Sequence, residues 1–70
     1  MHIGNEIRKV LKDREMTVVE LASRLSCTRV NVYKIFEKHS IDTELLLRIS
    51  IALEYDFFSL YNTEVETKKR

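Results

Sequence analysis

Few side chains in this sequence could carry covalent or metal chemistry: two histidines, one cysteine, and scattered hydroxyls and carboxylates. His39 and Ser40 place an imidazole beside a hydroxyl, the pairing from which an activated nucleophile is built. No third group is positioned to orient the base and no oxyanion donor is identifiable, so a surface turn accounts for the pair. His2 and Cys27 stand too far apart for a zinc spacing, and two imidazoles with one thiol fall short of a closed tetrahedral site. Cys27 reads as a small buried apolar residue. Phosphate-cradling loops need several glycines, and Gly4 is the only one. The expectation is no enzyme, no metal and no cofactor. What remains is the chemistry of cations and hydrogen-bond donors.

Those cations are unevenly spread. The 70 residues carry twelve Lys and Arg against eleven Asp and Glu, a net charge of only +1. Residues 1–40 hold eight basic against five acidic side chains, residues 41–64 one against five, and residues 65–70 three against one. The positive part is the first half, so any reading surface for an anionic polymer belongs there. Whatever positions these charges must be small. At 8.3 kDa the chain makes one domain, and a domain of this size buries only ~60% of what it exposes when unfolded. A single Cys gives no internal disulfide, which suits a reducing compartment, and no apolar run approaches the ~20 residues of a membrane span. The start Met1-His2-Ile3-Gly4-Asn5-Glu6 lacks the pattern of a secretion signal. A cytoplasmic protein with no membrane contact is expected.

One Gly and no Pro remove the residues that β-turns most often need, and abundant Leu, Glu, Lys and Arg favour helices throughout. Ile3, Ile7, Val10 and Leu11 form one stripe of a first helix that reaches about Arg14. Thr17 and Glu20 have capping-box spacing, so a second helix starts at Val18, with Leu21, Ala22 and Leu25 apolar. Ser26-Cys27-Thr28 connects it to a third, about Arg29 to Glu37, which turns Val32, Ile35 and Phe36 inward. Asp42 caps a fourth, Thr43 to about Leu53, that is apolar nearly all round and so expected at the centre. Asp56 caps a last short helix, Phe57 to Tyr61. The domain is thus 1–62, and 63–70 is expected to be a flexible charged tail.

The pair of helices about Ser26-Cys27-Thr28 is more specific than a generic hairpin. A helix-turn-helix, here at about 18–37, needs a small residue mid-way along its first helix so that the second can cross closely, and Ala22 supplies it. Leu21, Leu25, Cys27, Val32 and Ile35 supply the inward apolar positions around that alanine.

At these residues the chain resembles the lambda-repressor-like (Cro/C1, XRE family) helix-turn-helix DNA-binding domains of bacterial and phage transcriptional regulators. The resemblance covers about Ile3 to Tyr61. It rests on Ile3-Gly4-Asn5-Glu6-Ile7-Arg8, on Met16 to Leu25, on Val32-Tyr33-Lys34-Ile35-Phe36, and on Ser40 to Leu53. It implies an all-α, compact five-helix bundle whose third helix enters the major groove of double-stranded DNA. By resemblance, Arg29, Val30 and Lys34 match positions that face bases, with Thr28 and Tyr33 beside them. Arg29 or Lys34 could bond guanine, and Val30 or Tyr33 could touch a thymine methyl. Thr17 and Val18 set the start of the second helix against a phosphate, and Asn31, Lys38 and Ser40 are further phosphate candidates. Two departures stand out. Ser26 replaces the glycine usual after the second helix, implying a strained backbone there, and Phe36 and Lys38 stand where an acidic residue and a glycine are usual.

Phe57, Phe58, Leu60 and Tyr61 crowd the terminal helix. One face cannot bury all four, and the remainder suits a two-fold partner, giving a homodimer with its third helices ~34 Å apart on a roughly palindromic operator. The function expected is a sequence-specific transcriptional regulator, of the repressor kind. The alternative is a protein-interaction module, an antitoxin or adaptor, that takes a protein partner on the same aromatic helix.

Overall fold

The computed structural model describes residues 1–69, and among them the only regular elements are five helices: α1 Ile3–Asp13, α2 Val18–Arg24, α3 Arg29–Phe36, α4 Thr43–Leu53 and α5 Phe58–Lys68. The first four lie within one residue of the positions read from the sequence, because their starts are written in side chains. The hydroxyl of Thr17 accepts from the Glu20 amide at 3.1 Å while Glu20 Oε1 accepts from the Thr17 amide at 3.3 Å, completing the capping box. Thr28 Oγ1 accepts from the Asn31 amide at 3.2 Å and Asp42 Oδ1 from the Leu45 amide at 2.8 Å, so α3 and α4 begin in the same way.

The core is the apolar stripe of each of the first four helices together with Phe57. Ile3, Ile7, Leu21, Val32, Ile49, Leu53 and Phe57 are its fully buried members. α3 packs against both α1 and α2, and α2 also meets α4. α4 is therefore not the central, wrapped helix its composition predicts. Only Leu46, Ile49, Ala52 and Leu53 of α4 are buried, whereas Leu47 and Ile51 stand 45% and 68% exposed. Cys27 is likewise half-buried rather than buried.

The fifth helix is longer than the short segment to Tyr61 expected from the sequence. It takes in most of the stretch read as a flexible tail; Arg70 lies outside the described residues. Thr63 and Thr67 each return a hydroxyl bond to the carbonyl four residues earlier, and Glu64 pairs with Lys68 at 3.9 Å. The Met1 ammonium reaches Glu64 at 3.2 Å and ties the helix to the start of α1. Basic Lys68 in the last turn also complements the helix dipole.

Three helices end without glycine. Glu15, Ser26 and Glu54 take φ of 55°, 55° and 52°, the left-handed region. Around each, two backbone bonds close the turn: Glu15 N to Lys12 O and Met16 N to Leu11 O, Ser26 N to Ser23 O and Cys27 N to Ala22 O, Glu54 N to Ile51 O and Tyr55 N to Ser50 O. These are Schellman motifs, and Met16, Cys27 and Tyr55 pack on the core just beyond them. Arginines from other helices complete the ends. Arg14 bonds the carbonyls of Leu53 (3.1 Å) and Glu54 (2.9 Å), Arg24 that of Ala52 (2.9 Å), and Arg48 that of Leu25.

Candidate nucleic-acid interface

The turn between α2 and α3 decides which side of α3 faces outward. Ser26 reverses the chain in its left-handed conformation, Thr28 caps the new helix, and Ala22, 5% exposed, leaves room for α3 to cross close by. Val32, Ile35 and Phe36 then seal the inner side. Thr28, Arg29, Val30, Tyr33 and Lys34, every base-reading candidate, are left exposed on the outer side. Val30 and Tyr33 are 61% and 54% exposed, which puts two apolar side chains on the same side of α3 as Arg29 and Lys34.

Tyr33 is not free to wander. Its ring meets Phe36 edge-on at 6.0 Å between centroids, and the Arg8 guanidinium lies 5.7 Å above the same Phe36 ring. Arg8, Lys12, Thr17, Val18, Tyr33 and Phe36 line one open cleft of about 340 Å³. The start of α2 is thus brought next to the outer face of α3, with Thr17 exposed and Val18 half-buried. Arg8 and Lys12 are additions that the sequence reading missed. Their i, i+4 spacing on the polar side of α1 was the available signal.

The remaining phosphate candidates are dispersed. Asn31 lines a separate cleft with Cys27, Leu45 and Arg48. Lys38 and Ser40 follow the end of α3, in a turn pinned by α1: the Gly4 amide donates to the Lys38 carbonyl and the Ile3 amide to that of His39, both at 3.0 Å. Ser40 borders a cleft toward α5, with Ile41, Thr43, Leu46, Phe58 and Tyr61. Gly4 explains the close approach. A Cβ there would stand 2.2 Å from the Phe36 carbonyl oxygen.

Electrostatically, the outer face is available. Among the described residues, no carboxylate lies within 4 Å of Arg8, Lys12, Arg29, Lys34 or Lys38, whereas Lys9 is paired with Glu6. The cations around α3 therefore keep their charge for an outside anion. The His39 ring meets that of His2 edge-on, 5.6 Å between centroids.

With that geometry in place, the family model for the Cro/C1-type HTH DNA-binding domain matches residues 6–66. The chain belongs to the Cro/C1-type helix-turn-helix family. Neither a curated protein nor a solved structure matches it. Membership makes this a DNA-binding domain of the regulator type, and the five-helix fold agrees with it. No helix among the described residues is long and apolar enough to cross a membrane.

The aromatic end separates into two parts. Phe57 is fully buried, so it leaves the set of interface candidates and joins the core, its ring 4.8 Å from Tyr55. It stands just ahead of α5, in the stretch between α4 and α5. Phe58 is exposed at 37%, and Leu60 and Tyr61 are half-buried.

Proposed function

We propose that this Cro/C1-type domain is a sequence-specific transcriptional regulator that represses by occupying an operator in double-stranded DNA. The observation that carries the reading is the outer face of α3, where Arg29 and Lys34 stand exposed and unpaired beside Val30 and Tyr33. Guanidinium and ammonium groups on such a face bond guanine O6 and N7, and the apolar pair suits thymine methyls. Thr28 starts the reading set. Thr17, Val18, Asn31, Lys38 and Ser40 fix its register on phosphates, helped by Arg8 and Lys12 from α1.

Repression requires a site held long enough to exclude the transcription machinery, and a net charge of +1 supports little non-specific attraction. Doubling the contacts is the available remedy. Phe58, Leu60 and Tyr61 of one copy meet those of a second, which sets two α3 helices about one DNA turn, ~34 Å, apart.

The test is selection of bound fragments from random duplexes, followed by anisotropy titration on the selected site. Arg29→Ala and Lys34→Ala should each weaken binding by about 1–3 kcal/mol there and relax preference at one base position. Equal binding to scrambled duplexes would remove the regulator reading. The competing reading, an antitoxin or adaptor, draws on one observation: α5 has no buried residue and leaves Phe58 and Val65 on its surface. It prevails if Phe58→Ala abolishes a complex with a protein partner while the α3 variants change nothing on DNA.

A further inference from the structure

α4 carries the most exposed large aliphatic residue of the described chain, Ile51, with Leu47 one turn earlier on the same face. Neither side chain is needed by the core, by α3 or by the α5 surface. Beside Ile51 runs an open groove of about 460 Å³, walled by Arg24, Leu25, Arg48 and Ala52. Leu25 and Arg48 also border a separate cleft of about 270 Å³ that holds Cys27, Asn31 and Leu45. α2 and α4 thus form the two sides of an apolar trough with a guanidinium at each side.

The two arginines are held in place by backbone carbonyls across that trough: Arg24 of α2 bonds Ala52 O, and Arg48 of α4 bonds Leu25 O. A carbonyl takes a hydrogen bond and leaves the charge uncompensated. Among the described residues no carboxylate lies within 4 Å of either guanidinium. Glu20, one turn before Arg24, is committed to the Thr17 cap. Each guanidinium has five N–H groups, so donors remain for a partner, and their entropy of immobilisation has already been met within the fold.

Fixed cations flanking exposed aliphatic side chains complement carboxylates flanking aliphatic side chains. We infer that the α2–α4 trough is a protein-docking surface for an acidic amphipathic helix, which lays Leu or Ile side chains against Leu25, Ile51 and Ala52 and carboxylates against Arg24 and Arg48. A second copy of this chain is the poorer occupant, since its own α4 face would bring the same arginines against each other. The groove at Ile51 shares no lining residue with α3, so a partner seated there can engage a DNA-bound molecule.

The test uses the full chain, isotope-labelled for NMR, and three synthetic peptides: a helical peptide with Leu at i, i+3, i+4 and i+7 flanked by Glu, its Lys-for-Glu counterpart, and a scrambled version of the first. The acidic helix should shift the amides around Arg24, Arg48 and Ile51, and bind at least about tenfold tighter than either control. Ile51→Glu places a carboxylate in the groove at an exposed position, so the fold should survive, as circular dichroism will verify. It should weaken the acidic peptide about tenfold or more while leaving duplex affinity unchanged. Arg24→Gln, which retains an N–H for Ala52 O, should weaken the peptide without that repulsion. The inference is overturned if the Lys peptide or the scrambled peptide binds as well as the acidic helix, or if Ile51→Glu changes nothing. It is equally overturned if the shifts fall on Arg29 to Lys34 and duplex DNA displaces the peptide, because the peptide is then only mimicking a polyanion.

Discussion

Replacing Gly4 by Ala sets two physical rules against each other. Gly4 sits in the first turn of α1, where an exposed helix would gain about 1 kcal/mol from Ala. Yet the added Cβ would stand 2.2 Å from the Phe36 carbonyl oxygen, 2.5 Å from its carbon and 2.6 Å from the Ile35 oxygen. All three are backbone atoms and cannot swing aside, so α1 must withdraw from the end of α3 by roughly 1 Å to restore contact distance. The amide bonds from Ile3 and Gly4 to the carbonyls of His39 and Lys38, each 3.0 Å, then stretch out of range. Overpacking of this kind costs about 1–3 kcal/mol, and the loss of the two hydrogen bonds about 1 kcal/mol each. After the propensity gain, a net loss of about 2–4 kcal/mol is expected, a large share of the ~4–10 kcal/mol that a domain this size has. Urea unfolding followed by far-ultraviolet circular dichroism should show the midpoint falling by about 2–4 M, taking a slope near 1 kcal/mol/M. Asn5→Ala, on the exposed side of the same helix, is the control and should leave the midpoint nearly in place. If Gly4→Ala instead raises the midpoint, the close approach of α1 to α3 is wrong, and with it the pinning of the turn that presents Lys38.

Further outcomes follow from the same contacts. Ser26→Gly should stabilise the fold by about 0.5–1 kcal/mol, since the left-handed backbone at φ 55° costs a side-chain-bearing residue roughly 1–2 kcal/mol and glycine returns part of this as unfolded-state entropy; thermal melting reads it, and a loss would contradict the geometry. Thr17→Ala removes the hydroxyl from the capping box and should lower stability by about 1 kcal/mol, seen as a reduced urea midpoint. Phe57→Ala empties a fully buried site and should cost about 3–5 kcal/mol, whereas Phe58→Ala should leave the monomer folded and shift sedimentation toward monomer. A Phe58 variant that unfolds while Phe57→Ala does not would reverse their assignments.

Helix starts were legible in the sequence because single side chains make them. Thr17, Thr28 and Asp42 are each the acceptor that begins a helix, and each lies where its residue type and spacing place it. The exposure of the α3 outer face was legible for a similar reason: Val32, Ile35 and Phe36 claim one side and leave the other. The fate of the crowded aromatics was not. Phe57 and Phe58 are the same residue type in adjacent positions, and only the folded bundle buries the first and exposes the second. Leu47 and Ile51 gave an apolar circumference to α4, but composition cannot say whether a neighbour covers each side of a helix. Among the described residues, none of the five helices covers that side.

How the helices end, though not where, was illegible at Glu15 and Glu54 for a deeper reason. The usual letter for a helix end is glycine, and Gly4 is spent on a close helix contact instead. Glu15, Ser26 and Glu54 adopt the left-handed turn without the residue that favours it, so the stabilisation must come from elsewhere. Two sources are present. Met16, Cys27 and Tyr55 bury apolar surface just past each turn, and Arg14, Arg24 and Arg48 donate to carbonyls at the ends of α4 and α2 from distant parts of the chain. The helix ends are thus tertiary features, formed only when the bundle closes, and a local reading has no access to them. The same bonds bear on DNA affinity. Arg14 and Arg24 account for two of the eight basic residues in the positive half of the chain, and both point at α4 rather than at a duplex. The charge that can meet phosphate is smaller than the count of cations suggests, which supports the proposed reliance on the face of α3 and on paired copies rather than on a long-range field.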